Sequence, residues 1–152
     1  MDRRDEVCVL LPAYNEAETI ESVVRGFRKA GFGNIVVADG GSSDDTAELA
    51  EAAGARVFEQ TGSGKGQAVR EAVRQHVDRE YVLMADADET YRAAEAGRML
   101  KPLFEGQADH VIGNRFADMK PGAMTRLNQV GNRIINAVFS FIHGHDHKDI
   151  LS

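Results

Sequence analysis

Asp86-Ala87-Asp88 sets two carboxylates two residues apart, directly after the apolar run Tyr81-Val82-Leu83-Met84-Ala85. That run reads as a buried strand, so both acids fall at a strand-to-loop exit. From there they can converge on one hard divalent cation, which takes oxygen ligands and commonly bridges a protein carboxylate to substrate phosphates. The bland alternative is one helix cap and one solvated charge. The strand context favours the cation.

The elements that must position this pair alternate strand and helix. Val7 to Leu11 is an apolar run closed by Pro12. Asn15 stands three residues before Glu18, which reads as an N-cap signature. Ile20, Val23, Val24 and Phe27 form one helical stripe, and Gly31 can end it. Ile35 to Ala38 is a second strand leading to Asp39, and a helix runs from about Asp44 to Gly54. Ala55 to Glu59 reads as a third strand. The glycine-rich stretch Gly62-Ser63-Gly64-Lys65-Gly66 opens a helix with Ala68, Val69, Ala72 and Val73 on one face. After Asp86, a helix is expected over Ala93 to Phe104, with Pro102 limiting its last turn. His110 to Gly113 reads as a fifth strand, and Thr125 to His143 as an amphipathic helix.

Such alternation implies an α/β fold: a mostly parallel sheet with helices on both faces and right-handed crossovers. Ligands of such sheets bind at the carboxyl ends of the strands. Pro12 to Glu16, Asp39 to Ser42 and Asp86 to Glu89 all fall at those ends, so three polar segments share one rim.

Bulk composition narrows the partners. The chain has 152 residues, the size of one domain, with 43% apolar and 28% charged residues. Its 18 basic and 24 acidic residues leave a net charge of −6, which argues against a general nucleic-acid binder. The single cysteine, Cys8, lies in an apolar run, reads as a small buried hydrophobe, and suits a reducing cytoplasm. No apolar run approaches the roughly 18 residues of a membrane span.

Each polar residue on the rim has a structural and a functional reading. Asn15 is a cap before it is anything else, whereas the ring of Tyr14 at a strand end can stack on a base. Asp39 either caps the following turn or accepts hydrogen bonds from a base or ribose, and the two readings stay level. Gly64-Lys65-Gly66 is no Walker A loop, because Gln67 follows where Ser or Thr would be needed. Its helix start can still bind an anion through backbone N–H groups. His143, His145 and His147 are spaced loosely among glycine and read as a solvated turn rather than a zinc site. Arg115, Arg126 and Arg133 are surface charges by default, yet an anionic acceptor would need such cations.

Taken in order, Leu11-Pro12-Ala13-Tyr14-Asn15-Glu16, Val37-Ala38-Asp39-Gly40-Gly41-Ser42, Gly64-Lys65-Gly66, Asp86-Ala87-Asp88 and Gly113-Asn114-Arg115 resemble the family 2 glycosyltransferases of GT-A fold. The similarity is strongest to the branch of dolichol-phosphate mannose synthase-like polyprenyl-phosphate hexosyltransferases. It extends from about Val7 to Ser152. The resemblance implies a Rossmann-like GT-A sandwich and inverting transfer of a hexose from a GDP- or UDP-sugar to a polyprenyl (dolichyl) phosphate. Work on a lipid acceptor implies a peripheral position at the cytoplasmic face of a membrane.

The resemblance also implies residue roles. Pro12, Ala13, Tyr14, Glu16 and Asp39 would hold base and ribose, with Gly66 and Ala87 beside the nucleotide. Asp86 and Asp88 would hold Mg2+ or Mn2+ on the donor diphosphate. Arg115, Arg126 and Arg133 would meet the acceptor phosphate. The chain departs from the family pattern at three places. Asp39 is followed by Gly40 where relatives often have a second acid. Thr90 stands where relatives often carry Gln. The closing motif Asp-x-x-Ser-Gly-aromatic-Arg stops at Asp149-Ile150-Leu151-Ser152, which implies a single GT-A domain truncated at its C-terminus. Two other readings fit the same rim: a sugar-phosphate nucleotidyltransferase, or a non-catalytic nucleotide-binding module.

Overall fold

The computed structural model describes residues 3–113. The fold below is that of the compact unit that ends at Asp109. Four strands, β1 (Val7–Ala13), β2 (Asn34–Asp39), β3 (Arg56–Glu59) and β4 (Tyr81–Met84), make a sheet of order β3-β2-β1-β4. Every adjacent pair is parallel. The helices are α1 (Ile20–Lys29), α2 (Thr46–Ala53), α3 (Lys65–Gln75) and α4 (Ala96–Phe104), the last preceded by a 3-10 turn at Ala93–Glu95.

The central strand explains the layering. Side chains alternate along β1, so Val7, Val9, Leu11 and Ala13 join one core with Ile20, Val24 and Phe27 of α1, Ala50 of α2 and Leu100 of α4. Cys8 and Leu10 join the opposite core with Val36, Ala38 and the α3 residues Ala68 and Ala72. A strand buried on both faces must be apolar at nearly every position, and β1 is. The fold is thus the expected α/β sandwich with helices on both faces. Cys8 is fully buried, and desolvation pushes its thiol up, as befits an inert core residue.

The α1 stripe predicted from spacing is the stripe that is buried. Gly31, at φ 93°, ends the helix in the left-handed conformation that favours glycine, and Phe32 N–H closes back on Phe27 O at 3.1 Å.

Two expectations are corrected. Asn15 does not cap α1, which starts at Ile20 after a turn. Asn15 instead has φ 54° and its Oδ1 accepts from Ser43 N–H at 2.8 Å, so the side chain serves the next loop. His110 to Gly113 forms no strand, because no described strand pairs with it, and Ile112 is exposed. The helix expected over Thr125 to His143 and the three nearby histidines lie outside the described residues.

Candidate active site

The carboxyl ends of all four strands and the start of α3 enclose one cleft of about 630 Å³. Pro12, Ala13, Tyr14 and Glu16 come from the end of β1, and Gly40 follows β2. Gln60 follows β3, and Ser63, Gly64 and Lys65 lead into α3. Asp86, Ala87 and Asp88 follow β4. The sheet order therefore runs from Gln60 at one end of the rim to the two carboxylates at the other. Ala38 and Ala68 complete the wall, and Tyr14 is 62% exposed at the mouth.

The loops are fixed by backbone N–H groups that find side-chain acceptors across the rim. Asn15 N–H donates to Ser42 Oγ at 2.9 Å, and Glu16 N–H donates to Thr46 Oγ1 at 2.8 Å. Ala17 N–H donates to Asp44 Oδ2 at 3.2 Å. Thr46 is fully buried, and its hydroxyl donates onward to Asp44. Thr19 Oγ1 donates to Ala87 O at 2.7 Å, which ties the entry of α1 to the carboxylate loop. Ala85 N–H bonds Leu10 O at 3.1 Å, so the ladder holds one residue past β4 and the acids follow directly.

Asp86 is ion-paired with Lys65, whose ammonium reaches across the cleft from α3. Asp88 Oδ1 accepts from Thr90 N–H at 3.0 Å and also from the Thr90 hydroxyl. Burial raises the Asp88 carboxyl, but the Thr90 bonds and the charge of Lys65 lower it further, so it ends below the usual range. Glu89 beside it has φ 62°, a local strain that recurs at functional sites. No group of three or more His, Cys, Asp or Glu among the described residues is arranged so that it could hold a metal ion. Asp86 and Asp88 could each supply a carboxylate oxygen to a Mg2+-like ion, whose other ligands would then be substrate phosphates and water.

Of the residues singled out from sequence, Pro12, Ala13, Tyr14, Glu16, Asp86, Ala87 and Asp88 line this cleft. Asp39 and Gly66 do not. Asp39 is 6% exposed, and its carboxylate accepts from Ser42 N–H at 3.1 Å and from Ser42 Oγ, so the turn-capping reading holds structurally. Gly66 lies inside the first turn of α3. Arg115, Arg126 and Arg133 lie outside the described residues. Sequence reasoning missed Gln60, Ser63 and Lys65 as wall residues, and missed the Ser42-Asp44-Thr46 staple. Gln60 was findable as the residue that follows a strand on the same rim.

The staple carries a pH signature. The Asp44 carboxyl is held below its ordinary value, chiefly by the Thr46 hydroxyl and further by the N–H groups of Ala17 and Thr46. A depressed folded-state value adds stability above the unfolded-state value, and that contribution disappears as pH falls through the folded one. Wild type is therefore expected to be more stable than Asp44→Asn at pH 7, with the gap closing below about pH 4. Urea melts from pH 3 to pH 7 check this; a gap that is constant with pH would refute it.

A sequence profile described as Glycosyl transferase family 2 matches residues 8–145. The chain belongs to glycosyl transferase family 2. It is 64% identical over 152 residues to "Glycosyltransferase AglJ" of Haloferax volcanii, an alignment covering 100% of this chain and 50% of AglJ. It is 37% identical over 143 residues to the "Dolichyl-phosphate hexose transferase" of the same organism, covering 92% of this chain and 60% of that protein. The fold is similar to glucosyl-3-phosphoglycerate synthase from Mycobacterium tuberculosis, solved with Mn2+, UDP-glucose and phosphoglyceric acid. That match has a TM-score of 0.60 at 28% identity over 68% of this chain and 40% of the synthase. The chain thus spans about half the length of the relatives it matches. The α/β architecture is that of the GT-A glycosyltransferases.

Proposed function

We propose that this chain carries the donor-binding half of a metal-dependent, inverting hexosyltransferase that moves a hexose from a GDP- or UDP-sugar to a polyprenyl phosphate. The observation that carries this reading is that Asp86, Asp88 and Lys65 share one cleft with Tyr14 and Glu16 at the strands' carboxyl ends. Membership in family 2 and the names of the relatives support the reaction class and the lipid acceptor. The Mn2+ and UDP-glucose of the synthase complex support the donor and the ion.

Tyr14 would stack on the base, with Pro12, Ala13 and Glu16 beside base and ribose. Asp86 and Asp88 would hold Mg2+ or Mn2+, whose bound charge would offset the negative charge that develops on the departing diphosphate. Lys65, already paired with Asp86, is within the same cleft and would take a phosphate oxygen by a charge-assisted hydrogen bond. In the reaction, a phosphate oxygen of the acceptor bonds to the anomeric carbon as the bond from that carbon to the diphosphate oxygen breaks. The acceptor phosphate is ionised at neutral pH, so no general base is needed. Arg115, Arg126 and Arg133 remain the proposed acceptor-phosphate cations, and Asp39 a supporting residue through the Ser42 turn. Action on a lipid acceptor would place the protein at a membrane surface, although no described helix is long and apolar enough to cross one.

Calorimetry with UDP and GDP, each with and without Mn2+, followed by product analysis with a hexose donor and polyprenyl phosphate, tests the proposal. Metal-dependent binding and release of a nucleoside diphosphate are expected. Release of pyrophosphate from a nucleoside triphosphate would favour a nucleotidyltransferase, and binding without turnover a non-catalytic module. Lys65→Met is expected to raise the donor KM by roughly 10- to 100-fold, the worth of one hydrogen bond to a charged group. An unchanged KM would remove Lys65 from the diphosphate site.

A further inference from the structure

Gln60 is the unexplained side chain of the cleft. It is 9% exposed, and its Oε1 is enclosed with no hydrogen-bond partner among the described residues. Its backbone N–H donates to Asp39 O at 2.9 Å, extending the β2–β3 ladder and fixing the residue at the β3 end of the rim. Buried polar groups are nearly always paired, and at a cleft wall a bound ligand is one source of the missing partner.

Its position says which part of the ligand. The carboxylates of Asp86 and Asp88 follow β4, at the opposite end of the order β3-β2-β1-β4. Three strand spacings separate β3 from β4, about 14 Å. With the diphosphate held at the β4 end, the far end of a nucleotide lies towards β3. Between them the wall is Ala38, Ala68, Pro12 and Ala13 with the ring of Tyr14, which suits a flat, weakly polar ring rather than a sugar. As a residue of the cleft wall, Gln60 brings a carboxamide with one acceptor and one donor arm, and its orphaned oxygen calls for an N–H. A lactam edge, N–H beside C=O, satisfies both arms. Uracil and guanine both carry one.

We propose that Gln60 reads the lactam edge of the donor's nucleobase. The inference rests on the donor assignment above and deepens it. No group among the described residues partners Gln60 Oε1, and an N–H of the nucleotide would supply that partner.

The test measures Kd for UDP and GDP, each with Mn2+, in the unaltered protein, Gln60→Met and Gln60→Glu. Mn2+ with inorganic pyrophosphate serves as the base-free control. Gln60→Met keeps an unbranched side chain of similar size but removes the polar arms. It is expected to weaken the preferred nucleotide about tenfold and leave pyrophosphate unchanged. It is also expected to raise the melting temperature of the nucleotide-free protein, because the orphaned oxygen is gone, whereas a purely structural amide would lower it. Gln60→Glu separates the two bases. A carboxylate accepts from both N1–H and N2–H of guanine, but its second oxygen faces a carbonyl of uracil. The ratio of affinities is therefore expected to shift towards GDP whichever base the unaltered protein prefers. Undiminished nucleotide binding by Gln60→Met, an equal loss of pyrophosphate, or an unshifted ratio in Gln60→Glu would overturn the role of Gln60 alone. Failure of the unaltered protein to bind either nucleotide would overturn this inference together with the donor assignment.

Discussion

Asp88→Ala is expected to lower metal-dependent hexosyl transfer by about two to three orders of magnitude with the fold intact, since removing one preorganised charge stabiliser typically costs roughly 10²–10³ in rate. The residue is exposed, and truncation removes its bonds with Thr90 but no core packing, so the stability change should stay within about 1 kcal/mol. Against the upward push of burial, the Thr90 hydrogen bonds and the charge of Lys65 hold the Asp88 carboxyl below the usual range, which favours the carboxylate form that a cation ligand needs. The measurement is initial rate against Mn2+ concentration, with circular dichroism as the control for folding. Turnover within a few-fold of wild type would end the assignment of the Asp86–Asp88 pair.

The second large effect concerns a residue that touches no substrate. Thr46→Val should cost about 1–3 kcal/mol, because Val keeps the shape of a fully buried side chain but leaves Glu16 N–H without its acceptor and Asp44 without its hydroxyl donor. Two rim loops then lose a tie that sets the path of Tyr14 and Glu16. Urea denaturation should show the lost stability, and the donor KM should rise more than kcat falls. Thr46→Ser should restore most of both, since it returns the hydroxyl. A valine variant with wild-type stability and KM would mean that the loops are held by other contacts.

The order of elements was legible because each rests on short-range regularities. The α1 stripe, the fully apolar β1 and the glycine stops at Gly31 and Gly54 follow from periodicity and backbone freedom alone. The same regularities misled at Asn15. A polar residue with Glu three positions on suits a cap, but Ser43, 28 residues away, competes for the same side-chain oxygen and wins. His110 to Gly113 has strand composition, yet a strand exists only where a partner pairs with it, and composition does not name partners.

The sequence alone determined that two acids leave a buried strand, that a tyrosine and a glutamate leave another, and that parallel topology puts both exits on one rim. These are consequences of alternation, chain direction and apolar runs, all local. The tertiary structure decided which groups share space. It paired Lys65 with Asp86 across 21 positions, buried Asp39 under Ser42, made Thr46 the staple between two loops, and left the Gln60 oxygen enclosed without a partner. Such juxtapositions depend on how strands order and helices pack, and hydrogen bonds between distant residues leave no period in the chain.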